Sequence, residues 1–298
     1  DRMFVNAVEQ ASKYTRPIFT IARRYGRAEV IPGSATIFFV NEEGWAVTTK
    51  QVARMIVDAG NIEKKYAEFR KKRNEIPAGY NFEEQLKALE TLNKYSDDKI
   101  CQLKVNFVDC VDRISGVECK VHPKYDVALV HFSGYERIGY SGYATFAASS
   151  EAVKPGKFLC RLGYPFPEFR NFKYDAEKDD IVWTAEKLRS PRFPAEGMVT
   201  RLIGEHDGEI IGIELSTPGY KGASGGPLFD QRGLVYGMQT GVSPINLGQC
   251  VHMDIIKGML NKEGVKYYED QYGAKNFGDQ SFISMGAPSG TGNGGKMS

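Results

Sequence analysis

The sequence predicts an all-β protein interrupted by a helical insertion and closed by a C-terminal helix. Three observations lead there. Short apolar runs of strand length recur along most of the chain, bounded by Gly, Pro, Asn or Asp. Glycine is abundant, 32 of 298 residues, which suits many tight turns. One stretch, residues 57–100, breaks the pattern with helical spacing and dense charge.

The elements follow in order. Residues 3–14 read as a short helix, and 15–24 and 32–47 supply strands. Gly33 to Val40 and Trp45 to Ala53 read as two apolar strands joined by the polar loop 41–44. In the insertion, Ile62, Tyr66 and Phe69 recur at helical spacing. After Pro77-Ala78-Gly79, Asn81 and Glu84 make a capping box for a second helix carrying Leu86, Leu89 and Leu92. A helical hairpin is expected, and its length suggests a docking place for a partner. The basic run Lys71-Lys72-Arg73 reads as a solvated face. Strands resume at 101–109, 114–121 and 127–132. After a crossing at 141–155 they continue around 157–163, 180–186, 196–203, 209–215, 227–230, 234–240 and 249–253, before a helix at 254–262. The expected organisation is 1–140, including the insertion, then 141–265, then a partly flexible tail at 266–298, Gly/Ser-rich from 284.

Composition limits the function. Hydrophobic content of 42% and charged content of 26% suit a soluble globular chain. A net charge of +2 gives no electrostatic case for nucleic acid. No apolar run approaches the ~18 residues that span a bilayer, and no signal peptide is visible. The chain opens at Asp1, which fits a processed or truncated N-terminus. No Cys-x-x-Cys pair occurs, so no metal is expected. No glycine-rich phosphate loop is present, which argues against a nucleotide-dependent enzyme, and no cofactor is expected. Five cysteines, an odd number, favour a reduced, cytoplasmic setting.

Chemistry concentrates in Gly222-Ala223-Ser224-Gly225-Gly226-Pro227-Leu228-Phe229-Asp230. Glycines on both sides of Ser224 permit a tight turn and close approach of a substrate. The serine hydroxyl can point outward from the apex, and the N–H groups of Gly222 and Ser224 can converge on an oxyanion. An acid, Asp126, directly precedes the apolar run Val127-Ala128-Leu129-Val130 and can receive a hydrogen bond from an imidazole.

Together with the 33–53 segment, these motifs resemble the trypsin-like serine proteases, and the HtrA/DegP-type branch most closely. Leu162-Gly163-Tyr164-Pro165 and Gly237-Met238-Gln239-Thr240 are also similar to stretches of that family's second barrel. The resemblance covers most of residues 17–262 and implies two antiparallel six-stranded barrels, a C-terminal helix and a protein or peptide substrate. No PDZ-like domain fits in the remaining length. The resemblance further implies Ser224 as nucleophile, Asp126 as the group orienting a base, and Gly222 with Ser224 as the oxyanion hole.

The family's catalytic His falls on Gln51, in Thr48-Thr49-Lys50-Gln51-Val52-Ala53. An amide can hydrogen-bond a serine but cannot take its proton and return it to a leaving amine. Loss of that base costs on the order of a million-fold in turnover. The four histidines, His122, His131, His206 and His252, each read as structural or surface residues. Lys50 or Lys221 as an alternative base would need a desolvated amine. Three readings of Gln51 stay open: a natural pseudoprotease keeping the groove for peptide binding or scaffolding, an engineered form of a protease, or a base located elsewhere. The implied substrate-binding residues are Pro218, Thr240, Gly241 and Val242. Pro218 stands where family members cutting after Lys or Arg carry an Asp, so small or medium apolar side chains are the expected preference.

Overall fold

The computed structural model describes residues 3–167, 170–184 and 191–270, and the backbone of 283–286. The remainder of the expected tail, and residues 185–186 of one expected strand, lie outside the described residues. The first half runs α1 (Val5–Ser12), β1 (Thr15–Arg24), β2 (Val30–Phe39), β3 (Trp45–Thr48), α2 (Lys50–Asn74), α3 (Phe82–Asn93), β4 (Ile100–Phe107), β5 (Gly116–Val121) and β6 (Ala128–Ser133). The second half starts with β7 (Thr145–Phe146), β8 (Phe158–Gly163), β9 (Phe172–Asp175), β10 (Asp180–Trp183), β11 (Phe193–Gly204) and β12 (Ile210–Leu215). It finishes with β13 (Pro227–Phe229), β14 (Leu234–Val242), β15 (Gly248–His252), α4 (Met253–Lys262), β16 (Tyr267–Asp270) and β17 (Ile283–Gly286).

Two antiparallel systems result, as the sequence leads one to expect. The first is a six-stranded sheet in the order β4-β1-β2-β3-β6-β5. In the second, β8, β11, β12, β15 and β14 follow one another, and β13 pairs with both β8 and β14, closing a six-stranded ring. β7 and β16 extend from β14 by parallel pairing, so residues 267–270 belong to the sheet rather than to a loose tail. Alternating and continuous apolar runs from both halves share one core, including Phe38, Phe39, Leu129, Leu162, Leu228 and Tyr236.

The hairpin around Gln51 departs from the strand expected through Ala53. β3 stops at Thr48, and Thr49 caps a helix: its Oγ1 accepts from Val52 N at 3.3 Å. A threonine side chain that satisfies a free helical N–H competes with strand pairing, and here the cap prevails. α2 then runs 25 residues, burying Val52, Ala59 and Tyr66 at seven-residue steps together with Ala53 and Phe69. It packs along β4 and also meets β5, the two edge strands of the first sheet. Unpaired edges need cover, and this helix supplies it.

α3 completes the expected hairpin, but without the expected capping box. Asn81 occupies the cap position with φ −98° and ψ 11°, and its side chain makes no cap hydrogen bond. Leu86 and Leu89 pack on the cluster of Tyr66, Phe69 and Tyr95, whereas Leu92 faces solvent. A charged latch fixes the far end of α2. Asp179, between β9 and β10, accepts from Arg23 Nη2 at 2.9 Å, Arg73 Nη2 at 3.0 Å, Tyr174 OH at 2.6 Å and the Tyr66 hydroxyl.

Candidate active site

Strand register brings Asp126 to α2. In the antiparallel β3–β6 pair, Thr48 stands opposite Ala128. Two residues onward from Thr48 and two back from Ala128 are Lys50 and Asp126. Asp126 Oδ1 accepts from the Lys50 backbone N–H at 2.8 Å, at the positive end of the helix. Gln51 is the next residue, in the first turn of α2, with an exposed side chain. Lys50 and Gln51 therefore lie on a helix, not on opposite faces of a strand.

The Ser224 turn reaches the same place from the other barrel. Gly222 and Gly225 have φ of +91° and +96°, a region that side-chain-bearing residues rarely adopt. Both also lie too close to the first barrel for a side chain. A Cβ on Gly225 would fall 2.0 Å from Thr36 O and 2.5 Å from Thr48 Oγ1, and one on Gly222 would fall 2.5 Å from Ser34 Oγ. The turn thus packs on β2 and on the last residue of β3, three positions before Gln51.

Thr36, on β2, ties the barrels together. Its Oγ1 donates to Gly222 O at 2.9 Å and accepts from Tyr164 N at 3.0 Å, and its N–H donates to Ser224 O at 3.3 Å. Within the Gly33 to Val40 run, sequence alone assigns Thr36 no role. A polar residue in the middle of an apolar strand was the available signal.

Inside the turn, Ala223 N donates to Tyr220 O, Gly225 N to Gln239 O and Gly226 N to Ala223 O. Among the described residues, the N–H groups of Gly222 and Ser224 have no acceptor. The Ser224 hydroxyl donates to Thr240 O at 3.0 Å. Among the described residues, Gln51 makes no hydrogen bond to Ser224 or Asp126. Asp126 and the Ser224 turn thus both approach the junction of β3 and α2, while carboxylate and hydroxyl each have another partner.

The histidines are occupied elsewhere. His122 Nδ1 accepts from Lys124 N at 3.1 Å and Tyr125 N at 2.9 Å, and burial followed by the nearby Lys50 charge pushes its imidazole below the usual range. His131 stacks on Trp45 with ring centres 4.1 Å apart. His206 is exposed on the β11–β12 turn. His252 is buried and caps α4, its Nδ1 accepting from Asp254 N at 3.0 Å.

Beside Ser224, β14 carries Thr240, Gly241 and Val242. Past Gln239 this strand pairs with β15 alone among the described strands, which leaves its other edge open to an extended peptide. Thr240 Oγ1 donates to Gln249 O, and Val242 is exposed. Pro218 is half-buried, and its carbonyl accepts from Arg161 Nη2 at 3.3 Å. All five cysteines are free thiols. Among the described residues no group of His, Cys, Asp and Glu is placed to hold a metal, and no helix is long and apolar enough to cross a membrane.

Solved structures to which the chain is similar include the HtrA-type protease AlgW with a tripeptide. It is 14% identical with a TM-score of 0.49, and the match covers 87% of this chain and 62% of that one. The active form of the Rv3671c protease from M. tuberculosis is 15% identical with a TM-score of 0.46, covering 88% of this chain and 86% of that one. No curated protein sequence matches the chain. The family model of the trypsin-like peptidase domain matches residues 33–238, a span holding both Asp126 and Ser224. The chain therefore belongs to the trypsin-like peptidase family.

Proposed function

We propose that this chain is a trypsin-like serine endopeptidase scaffold whose general-base position is filled by Gln51, leaving peptide-bond hydrolysis severely impaired. Ser224 is the nucleophile, Asp126 the residue that would orient a base, and the Gly222 and Ser224 N–H groups the oxyanion hole. The observation that carries this reading is the pair of unpaired amides at Gly222 and Ser224, beside amides at Ala223, Gly225 and Gly226 that are all engaged. An oxyanion would complete them, and donors fixed in place need no reorganisation as charge develops. With a base at position 51, Ser224 Oγ would attack the carbonyl carbon as its proton passes to the base. The proton would then go to the leaving amine, and water would release the acyl group by the same route.

Substituting Gln51→His tests it, with Ser224→Ala in the same background as control. Ser224-dependent cleavage of an unfolded protein substrate, rising by several orders of magnitude over the unaltered chain, is the expected result. A second reading, a peptide-binding or scaffold protein using the same groove, draws support from the Ser224 hydroxyl resting on the Thr240 carbonyl. No gain of cleavage, with peptide binding retained, would select it. The α2–α3 insertion enters the proposal as a docking element for a protein partner, with Tyr80 and Leu92 exposed on it. Deleting residues 77–94 and finding unchanged behaviour towards every partner and substrate would remove that role.

A further inference from the structure

β8 carries a charge in the wrong kind of place. Arg161 is 1% exposed, between Cys160 and Leu162 in an otherwise apolar strand. Its Nη2 donates to Thr217 Oγ1 at 2.6 Å and to Pro218 O at 3.3 Å. Its Nε and Nη1 are buried without a partner, and it forms no ion pair among the described residues. Gln239, 2% exposed, likewise has a buried amide nitrogen without a partner. Buried guanidinium groups are ordinarily paired with carboxylates, because desolvating an isolated charge is costly.

These groups meet around one segment. Residues 217–220 lead from β12 towards Ser224. Arg161 bonds Thr217 and Pro218. Gln239 Nε2 lies 2.6 Å from where a Cβ of Gly219 would stand, and Arg161 Nη1 lies 2.5 Å from where a Cβ of Gly248 would stand. Gln239 is also backbone-bonded to the Ser224 turn: its carbonyl accepts from Gly225 N at 2.8 Å, and its N–H donates to Gly226 O at 2.9 Å. The next residue, Thr240, holds the Ser224 hydroxyl. Gln239 is therefore one residue from the strand position that holds the nucleophile's hydroxyl, Arg161 is tied to the segment that leads into the Ser224 turn, and glycines at 219 and 248 leave room beside their unpaired nitrogens. Every one of the three is a donor. What would satisfy them together is an acceptor, and beside a guanidinium the fitting acceptor is an anion.

We propose that Arg161 and Gln239 form the floor of the specificity pocket and select a Glu or Asp side chain on the acyl side of the bond to be cut. This rests on Ser224 being the nucleophile. It replaces the apolar preference expected from Pro218 alone: the local sequence shows no charge at that position, but the neighbouring strand delivers one beneath it. The 217–220 segment, which belongs to no helix or strand, lies against these side chains through Thr217, Pro218 and Gly219. The carboxylate enters as that segment lifts, and pairing with it offsets the unsatisfied charge.

The test uses peptides blocked at both ends, so that only a side chain can supply a carboxylate. They differ at one position: Glu, Asp, Gln, Leu, Ala or Lys. The Gln51→His protein is assayed for cleavage and the unaltered protein for equilibrium binding. Cleavage after Glu or Asp at least about tenfold above Gln, Leu or Ala is expected, with binding in the same order. Arg161→Met should bring acidic and neutral peptides to parity, whereas Arg161→Lys should keep part of the preference. Gln239→Leu, which leaves the strand charge in place, guards against a misfolded Arg161→Met and should reduce the preference several-fold. Cleavage dominated by Lys or apolar residues, or an acidic preference unchanged in Arg161→Met, would overturn the pocket while leaving the nucleophile intact. Absence of any Ser224-dependent cleavage would instead remove the protease reading. The binding arm would then decide the pocket alone: acidic peptides bound best would support it, and no discrimination would overturn it.

Discussion

Replacing Thr36 with Val removes one hydroxyl and nearly nothing else, so it measures what holds the two barrels in register at Ser224. The side chain is fully buried, and Val fills its shape. The Thr36 N–H to Ser224 carbonyl bond and the Thr48 hydroxyl to Thr36 carbonyl bond use backbone atoms of Thr36 and survive. Two bonds do not. Tyr164 N, buried, loses its acceptor at 3.0 Å, which costs about 1–3 kcal/mol. Gly222 O, half-buried, loses its donor at 2.9 Å and recovers part of that from water, so about 1 kcal/mol is its share. Destabilisation of roughly 2–4 kcal/mol is expected from urea unfolding followed by tryptophan fluorescence. Thr36→Ser is the control. It keeps the hydroxyl and loses one methyl, worth about 1 kcal/mol. In the Gln51→His background, Thr36→Val should also lower cleavage more than Thr36→Ser, because the turn bearing Ser224 loses a fixed point. A Val variant as stable as the unaltered protein, or more stable than the Ser variant, would refute the seam argument.

Three further outcomes follow from particular residues. Gly225→Ala should destabilise the fold by about 3 kcal/mol or more, since its φ of +96° is strained for alanine and its Cβ would meet the Thr36 carbonyl; a melting temperature within a degree or two of the unaltered protein would contradict this. Burial alone would raise the Asp179 carboxyl, but hydrogen bonds from Tyr174 and Tyr66 and the Arg23 and Arg73 charges outweigh it and hold the carboxyl below the usual carboxylate range. A depressed folded-state value means stability that is present above about pH 4 and is lost as pH falls further. The acid limb of the stability curve should therefore flatten in Asp179→Asn, and an identical limb would count against the latch. Burial pushes the Cys101 and Cys119 thiols up to about 11 and those of Cys160 and Cys250 up to about 12. At pH 8 about one in a thousand or fewer of these is thiolate, so a disulfide reagent should titrate the native chain slowly and all five thiols quickly in denaturant.

The strands were legible because each is a local apolar run, and the Ser224 turn because glycine at those positions has few substitutes. β7, β9 and β16 escape a sequence reading because they are only two to four residues long; β7 and β16 exist through pairing with distant partners, and β9 through a short hairpin with β10. The start of α2 was misread because the apolar residues at both ends of Trp45 to Ala53 suggest one strand running through the polar stretch Thr48 to Gln51. Only the Thr49 cap and the cover needed over β4 and β5 decide that a helix begins at Lys50. The capping box at Asn81 failed for the opposite reason, since a local pattern was present without the backbone angles to use it.

Sequence by itself determined the trypsin-like family, the serine in its glycine turn, the acid before its strand and the absence of a histidine at position 51, where glutamine stands. Those are identities and short spacings, carried by covalent order. Tertiary structure decided that Thr36 joins the barrels, that Asp126 meets the amide beside Gln51, and that Arg161 lies buried beneath Pro218. Each of these depends on which strand lies next to which, and burial turns an ordinary arginine into an unsatisfied charge only once its neighbours have closed around it.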